Sequence, residues 1–318
     1  MAQKISAGLI LGGSRKEDSF LTVMKYFAKN RRWFVLGCHP LKEDQSQSSD
    51  EKLIHWVRHY GLTSLTVDFP LSPPLCHDCE LDCPGEKKCP VDQVVRIRSM
   101  MDQLLNEDIS LQDDNPKKYE QKRQQDDLSY LQAPLEKATD EHLLSRFFKR
   151  RLKKGFLPYW NRPIDFWIWR NYFDPVYQIF KTSYDSFGST SLMLVKRFDY
   201  LKRHLPKKLK FYESHWTLCL LEILRADLLN RKHLKNLMDI DQAPLARIDI
   251  IKAIEEKCEL FYYEKDFEFF IRNPKAFESF LLALADRYRL QDRVYDLPSW
   301  SGADQCSFFV PKFLAELK

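Results

Sequence analysis

Apolar and polar positions along the first seventy residues follow a pattern that predicts three strands, a helix and a fourth strand. Three apolar runs are separated by charged or glycine-containing turns, which is typical of an antiparallel meander. These runs are Ile5 to Leu11, Phe20 to Ala28 and Trp33 to Gly37. Apolar residues then recur at helical spacing from Asp50 until Gly61. The β-rich run Ser64 to Val67 follows, so the predicted order is β-β-β-α-β.

The remainder of the chain shows mainly helical spacing. Val91 to Leu105 predicts a helix, whereas Asn106 to Asp140 is rich in Gln, Asp, Lys and Glu and indicates a linker, an insertion or a solvated helix. A strand is predicted at Leu209 to Tyr212, ending at Glu213. Four further helices and a closing strand are expected at Trp216 to Leu229, Leu245 to Cys258, Phe267 to Ile271, Ala276 to Tyr288 and Ser307 to Pro311.

We therefore expect an α/β fold with three regions. Residues 1–105 form the N-terminal part of the core and include a cysteine-rich loop at 75–90. Residues 106–155 form a polar linker or insertion that ends in a basic run. Residues 156–318 supply a helical insertion and the C-terminal part of the core.

The composition narrows the class of protein. The chain has 318 residues, and its 44% hydrophobic content is sufficient for a large core. Its apolar runs are interrupted before the ~18 residues that a membrane helix needs, and Met1 to Ser6 lacks the apolar core of a signal peptide. We expect a cytoplasmic protein without a membrane partner. The net charge of +5 gives only a weak long-range attraction to polyanions, and no pattern indicates an oligomeric state.

Half of the eight cysteines are clustered. Their spacing, C-x2-C-x3-C-x5-C, brings four thiolates within reach of one tetrahedral ion and predicts a structural Zn²⁺ site. An iron–sulfur cluster fits this spacing less well, and a reduced, metal-free loop is the other alternative. His77 could replace one thiolate. The clustered cysteines are Cys76, Cys79, Cys83 and Cys89.

Three carboxylates are candidates for a second metal site. Asp68 follows one predicted strand, Glu213 ends another, and Glu278 lies on a helix face between Phe277 and Phe280. If they converge, they could hold Mg²⁺ or Mn²⁺ and support phosphodiester cleavage. Taken alone, Glu213 and Glu278 are better interpreted as ordinary surface acids or helix caps.

A basic segment followed by aromatic residues is a candidate surface for nucleic acid. Its cations could contact phosphates while Tyr159 or Trp160 stacks on bases. The alternative is a solvated basic helix end followed by aromatic core packing. The candidate cations are Lys149, Arg150, Arg151, Lys153 and Lys154, with Arg162 as a further candidate.

Five ordered motifs resemble a widespread, uncharacterised family of predicted nucleases with a ribonuclease H-like fold. They are GLILGG at 8–13, VDFPLS at 67–72, RPID at 162–165, FYES at 211–214 and FESFLLAL at 277–284. The resemblance implies a mixed sheet with an antiparallel three-stranded front, flanking helices, and an acidic metal site at Asp68, Glu213 and Glu278.

The first strand departs from that family. Such folds carry an Asp in the middle of this strand, where the present chain has Ile10. Two functions therefore remain open. The chain could be a metal-dependent nuclease, or a ribonuclease H-like binding or scaffold protein that has lost hydrolysis.

Overall fold

The structure is a computed structural model that describes residues 4–12, 18–132, 145–182 and 191–313. It contains a mixed six-stranded sheet with flanking helices. The expected α/β class is confirmed. In the described residues the strands are β1 (Ile5–Ile10), β2 (Phe20–Phe27), β3 (Arg32–Pro40), β4 (Ser64–Val67), β5 (Lys210–Glu213) and β6 (Leu260–Phe261).

Helices occur in both the N-terminal and the C-terminal parts of the chain. Those described are α1 (Ser49–His59), α2 (Asp92–Asp114), α3 (Pro116–Gln132), α4 (Arg146–Gly155), α5 (Pro163–Phe180), α6 (Ser191–Lys202), α7 (Trp216–Arg225), α8 (Arg231–Lys235), α9 (Ala243–Lys257), α10 (Glu264–Arg272), α11 (Pro274–Arg289) and α12 (Ala303–Cys306). In the parts that the structure describes, none is both long and apolar enough to cross a membrane.

The strand order in the sheet is β5-β4-β1-β2-β3-β6. Strands β1, β2 and β3 pair antiparallel as the sequence predicts, because short turns connect them. Strands β4 and β5 run parallel to β1, and β6 runs parallel to β3. The carboxyl ends of β1, β4 and β5 therefore lie at the same edge of the sheet.

Two predicted segments differ from the observed structure. Much of the polar stretch after residue 105 is helical, because α2 continues to Asp114 and α3 follows, while residues 133–144 lie outside the described part. The segment from Ser307 to Pro311 forms only isolated bridges, Glu213 with Phe308 and Val294 with Pro311, instead of a strand. This segment thus bonds to the end of β5 at Glu213 without forming a seventh strand.

The chain divides into two compact units. The first contains Met1–Leu71, Gly188–Leu297 and Gln305–Lys318, and it holds the whole sheet. The second contains Ser72–Phe187 and Pro298–Asp304 and is built from α2 to α5 with short flanking segments. The boundary at Leu71 and Ser72 assigns the cysteine-rich loop to the second unit, whereas the sequence grouped it with the core.

Each face of the sheet packs against a different set of helices. Alternation along β1 directs Ala7 and Leu9 into an apolar cluster with residues of α1 and α6. The opposite face packs against α11, which is buried along almost its whole length. Gly8 permits this close approach, because a Cβ atom there would lie 2.3 Å from both the Ala283 nitrogen and the Ser279 oxygen.

A buried carboxylate joins α11 to two strands. Asp286 accepts hydrogen bonds from the backbone N–H of Ala7 (3.1 Å), from Ser64 Oγ (3.3 Å) and from Thr66 Oγ1 (3.1 Å). Arg289 pairs with the same carboxylate at 2.7 Å. Burial alone would penalise this charge, so its stability depends on these donors. They fix the helix across β1 and β4.

Replacing Gly8 by Ala should lower the free energy of unfolding by about 1–3 kcal/mol or more, because the new methyl group meets helix backbone that cannot move aside. Urea-induced unfolding would measure the change. Gly155→Ala is the matched control, since the nearest atom to its added methyl group would be a Trp169 ring carbon at 3.7 Å. Equal stability of the two variants would contradict the close packing of α11.

Candidate functional site

Two of the predicted acids stand at the carboxyl ends of neighbouring parallel strands. Val67, the last residue of β4, is in register with Glu213, the last residue of β5, and Asp68 follows directly. The Ser214 N–H donates to the Val67 carbonyl at 3.0 Å, and the Leu71 N–H donates to Glu213 Oε2 at 2.9 Å. The predicted positions of both acids at strand ends are therefore found in the structure.

The third acid reaches the same edge on α11. Asn273 caps this helix by accepting from the backbone N–H of Lys275 at 2.8 Å, and Pro274 occupies the first turn. One turn later Glu278 lies on the buried side of the helix, 9% exposed. Lys275 Nζ donates to Glu278 Oε2 at 2.8 Å. The helix therefore carries an anion and its counter-ion together.

Electrostatic effects link Asp68 most closely to Glu278. Burial and then the Glu278 carboxylate raise the pKa of Asp68, the Lys275 ammonium opposes both, and the resulting pKa is about 7. Glu213 also raises the pKa of Asp68, but it is the smallest of these influences. Burial likewise raises the pKa of Glu278, against the opposing effect of Lys275 and Arg247. The inner group is therefore Asp68, Glu278 and Lys275, with Glu213 at its margin.

Sequence reasoning missed two members of this site. Lys275 is one of them. The sequence Asn273-Pro274-Lys275 is typical of a helix start and precedes Glu278 on an apolar helix face, and this pattern could have indicated Lys275. The other is His215, the N-cap of α7, which accepts from the Thr217 N–H and lies 2.6 Å from Thr217 Oγ1. Burial and then the Lys275 charge lower the pKa of His215 to about 4, so this ring is neutral near pH 7.

The acids are of the ligand type that a hard divalent cation binds. Mg²⁺ and Mn²⁺ prefer carboxylate oxygens, and the raised pKa values of Asp68 and Glu278 reflect mainly the burial of these two groups. Among the described residues, no three His, Cys, Asp or Glu side chains already stand together as a metal site. Binding would therefore require the carboxylates to move closer together around the ion.

The first strand contributes no acid to this edge. Ile10 is 1% exposed and pairs with Phe20, so its side chain belongs to the apolar core. Asp18 is the nearest acid in the described chain after it, and it accepts from Asn273 Nδ2 at 2.7 Å. Its carboxylate is thus held beside the capped start of α11.

The cysteine-rich loop lies in the second unit. Cys76, Cys79 and Cys83 are exposed, Cys89 is partly exposed, and all four are free thiols. Limited burial and the nearby thiols of Cys89, Cys79 and Cys83 raise the pKa of Cys76. Among the described residues these four thiols do not already form a metal-binding group, so a bound ion would have to draw them together.

The predicted nucleic-acid residues divide into buried and exposed sets. Lys149 is buried and pairs with Asp108 at 2.8 Å and Glu107 at 3.3 Å. Arg162 is also buried and pairs at 2.9 Å with Asp165, whose side chain caps the start of α5. The Lys149 ammonium and the Arg162 guanidinium therefore do not face solvent. The predicted cations that are exposed on α4 are Arg150, Arg151, Lys153 and Lys154.

Comparison with known proteins does not assign the chain to a family. No protein-family model, curated protein or solved structure matches the chain significantly.

Substitution of Asp68 should make stability less sensitive to pH. The carboxyl has an ordinary pKa of 3.8 and a folded-state pKa of about 7, so the folded protein holds the proton more tightly and this group destabilises the fold increasingly between pH 4 and pH 7. Asp68→Asn removes that penalty. In urea unfolding without divalent cations, its stability relative to the parent should be higher at pH 8 than at pH 5.

The exposed Asp199→Asn variant is the control for this measurement, because its change in stability should be the same at both pH values. Parallel pH profiles of Asp68→Asn and the parent would show that Asp68 is not held in a buried acidic group.

Proposed function

We propose that this protein is a metal-dependent phosphodiester hydrolase, a nuclease with a ribonuclease H-like fold. One observation carries the proposal. Asp68 stands at the carboxyl edge of a parallel pair of strands, where burial and then the carboxylate of Glu278, a residue remote in sequence, raise its pKa. Ligands and catalytic groups collect at this edge in open α/β sheets.

The topology supports the same proposal. The resemblance in the sequence implies an antiparallel three-stranded front followed by a helix and further strands, with helices on the faces. Strands β1 to β3 are antiparallel, α1 follows, and β4 and β5 then extend the sheet in parallel with β1. This order of elements supports the proposal.

Each acidic side chain has a defined part in the proposal. Asp68 and Glu278 would hold Mg²⁺ or Mn²⁺, and Glu213, oriented by the Leu71 N–H, would complete the set of oxygen ligands. When bound, such an ion activates water and stabilises charge on a leaving oxygen. Lys275 would keep its positive charge beside the carboxylates, where it can also contact a phosphate.

Asp68→Asn should reduce nuclease activity by about 100-fold or more, because even residues that only orient metal ligands cost about 10–100-fold when lost. The assay compares cleavage of single- and double-stranded DNA and RNA with Mg²⁺ or Mn²⁺. Glu278→Gln should give a similar loss.

The matched controls are the exposed variants Asp199→Asn and Glu268→Gln, which should retain the activity of the parent. Chelator-insensitive cleavage that is equal in the parent and in Asp68→Asn would contradict the proposal, since it would indicate a contaminating nuclease.

A second candidate function is a binding or scaffold protein that does not cleave. The buried Ile10 in place of a first-strand acid favours it, and so does Lys275, which already compensates Glu278 without a metal ion. Isothermal titration with Mn²⁺ separates the two functions. Nucleic-acid binding without metal-dependent turnover would support the scaffold, whereas metal binding that Asp68→Asn abolishes together with turnover supports the enzyme.

Under either function, we propose that the exposed cations of α4 contact nucleic-acid phosphates. None of the four forms an ion pair within the described residues, so their charge is available to a ligand. Replacing all four by Ala should weaken binding and reduce the slope of log K against log salt by about 3 for single strands, at roughly 0.7 per contact. Fluorescence anisotropy at several salt concentrations measures the slope. The four residues are Arg150, Arg151, Lys153 and Lys154.

The control for this test is Lys207→Ala/Lys208→Ala, which removes exposed positive charge from the first unit. It should change the salt slope less than the α4 variant does. An unchanged slope in the α4 variant would remove this helix from the proposed binding surface.

A further inference from the structure

The cysteine-rich loop lacks the apolar contacts that usually order a segment of its length. No residue from Leu75 to Gln93 is buried, and Leu81, its central apolar side chain, is 52% exposed. Ordering a chain costs conformational entropy, which side-chain burial normally offsets. Long loops without secondary structure or a core are uncommon in compact proteins unless they have a functional role or are disordered.

Local backbone hydrogen bonds shape both ends of this loop. At the first pair of thiols the His77 N–H donates to the Pro74 carbonyl at 3.0 Å, which closes a turn around Cys76. At the other end the Cys89 N–H donates to the Glu86 carbonyl at 3.3 Å. Gly85 precedes this second turn with a φ of 87°, in the region that favours glycine.

The second turn is also attached to a helix. Arg98 on α2 donates from Nη1 to the Glu86 carbonyl. The sulfur of Cys89 is therefore presented from a turn that α2 supports, while Cys76 lies in the first turn and Cys79 follows it. Cys83 lies between the two turns.

We propose that these four thiols bind one Zn²⁺ ion, which cross-links the two turns and orders the loop onto α2. The site would be closed, with four thiolates and no open position, as in structural zinc sites. Binding releases the four thiol protons and forms four Zn–S bonds, so no oxidant or reductant is required. The thiols are exposed and can draw together around the ion. The ligands are Cys76, Cys79, Cys83 and Cys89.

Four thiolates with one Zn²⁺ ion carry a net charge of about −2. Lys87 and Lys88 lie between the third and fourth cysteines and Arg98 contacts the second turn, but four acids lie in the same loop, so the surrounding charge does not itself favour the site. The acids are Asp78, Glu80, Asp82 and Glu86. The remaining cysteines, Cys38, Cys219, Cys258 and Cys306, are all buried and cannot compete for the ion.

The full chain, purified under reducing conditions, tests the proposal by elemental analysis. We expect one zinc per chain, and a cobalt-substituted form with the strong thiolate charge-transfer absorption of a four-sulfur site. Cys79→Ser/Cys83→Ser should lose the metal, whereas His77→Asn, in the same loop, should keep it. Loss of zinc only in His77→Asn would overturn the ligand set.

A second measurement uses the unaltered protein and does not depend on the folding of any variant. Removing zinc with a chelator should make the four loop thiols alkylate at least tenfold faster, while the four buried cysteines remain protected. Trypsin cleavage after Lys87 and Lys88 should accelerate in parallel. The proposal is overturned by protein without zinc whose loop thiols react at once, by iron in place of zinc, or by a mass that shows two disulfides.

Discussion

The attachment of α11 to the centre of the sheet is the constraint on which the first unit depends. Asp286 is fully buried, and its carboxylate is satisfied by the Ala7 N–H of β1, by hydroxyl groups of Ser64 and Thr66 on β4, and by an arginine. Gly8 lets the helix backbone approach β1 closely. A charge buried in this way is stable only if every donor stays in place, so the helix has one position on the sheet.

That position also determines the candidate site. Because α11 is fixed near its C-terminal end by Asp286, its N-terminal turn carries Lys275 and Glu278 to the edge where β4 ends. There the Glu278 carboxylate raises the pKa of Asp68 and the Lys275 ammonium lowers it. The same packing that stabilises the fold thus buries two carboxyl groups close to one ammonium group.

The acidic group and the cysteine-rich loop are close in sequence but belong to different compact units. The chain passes from one to the other at Leu71 and Ser72, only a few residues after Asp68. The acidic site is built from strand ends and a long-range helix contact, whereas the loop is built from local turns supported by Arg98. They therefore have separate physical origins, and their proposed metal ions would have separate roles.

Local sequence determined the order β-β-β-α-β, the strand that ends before Asp68 and the four-cysteine spacing, because alternation, turn residues and ligand spacing act over a few residues. Tertiary structure alone decided that Glu278 and Lys275 act on Asp68, that Glu213 has the smallest effect on it, and that Lys149 is buried in an ion pair. Those outcomes depend on where α11 and α4 pack, and no periodicity within either helix specifies its neighbour.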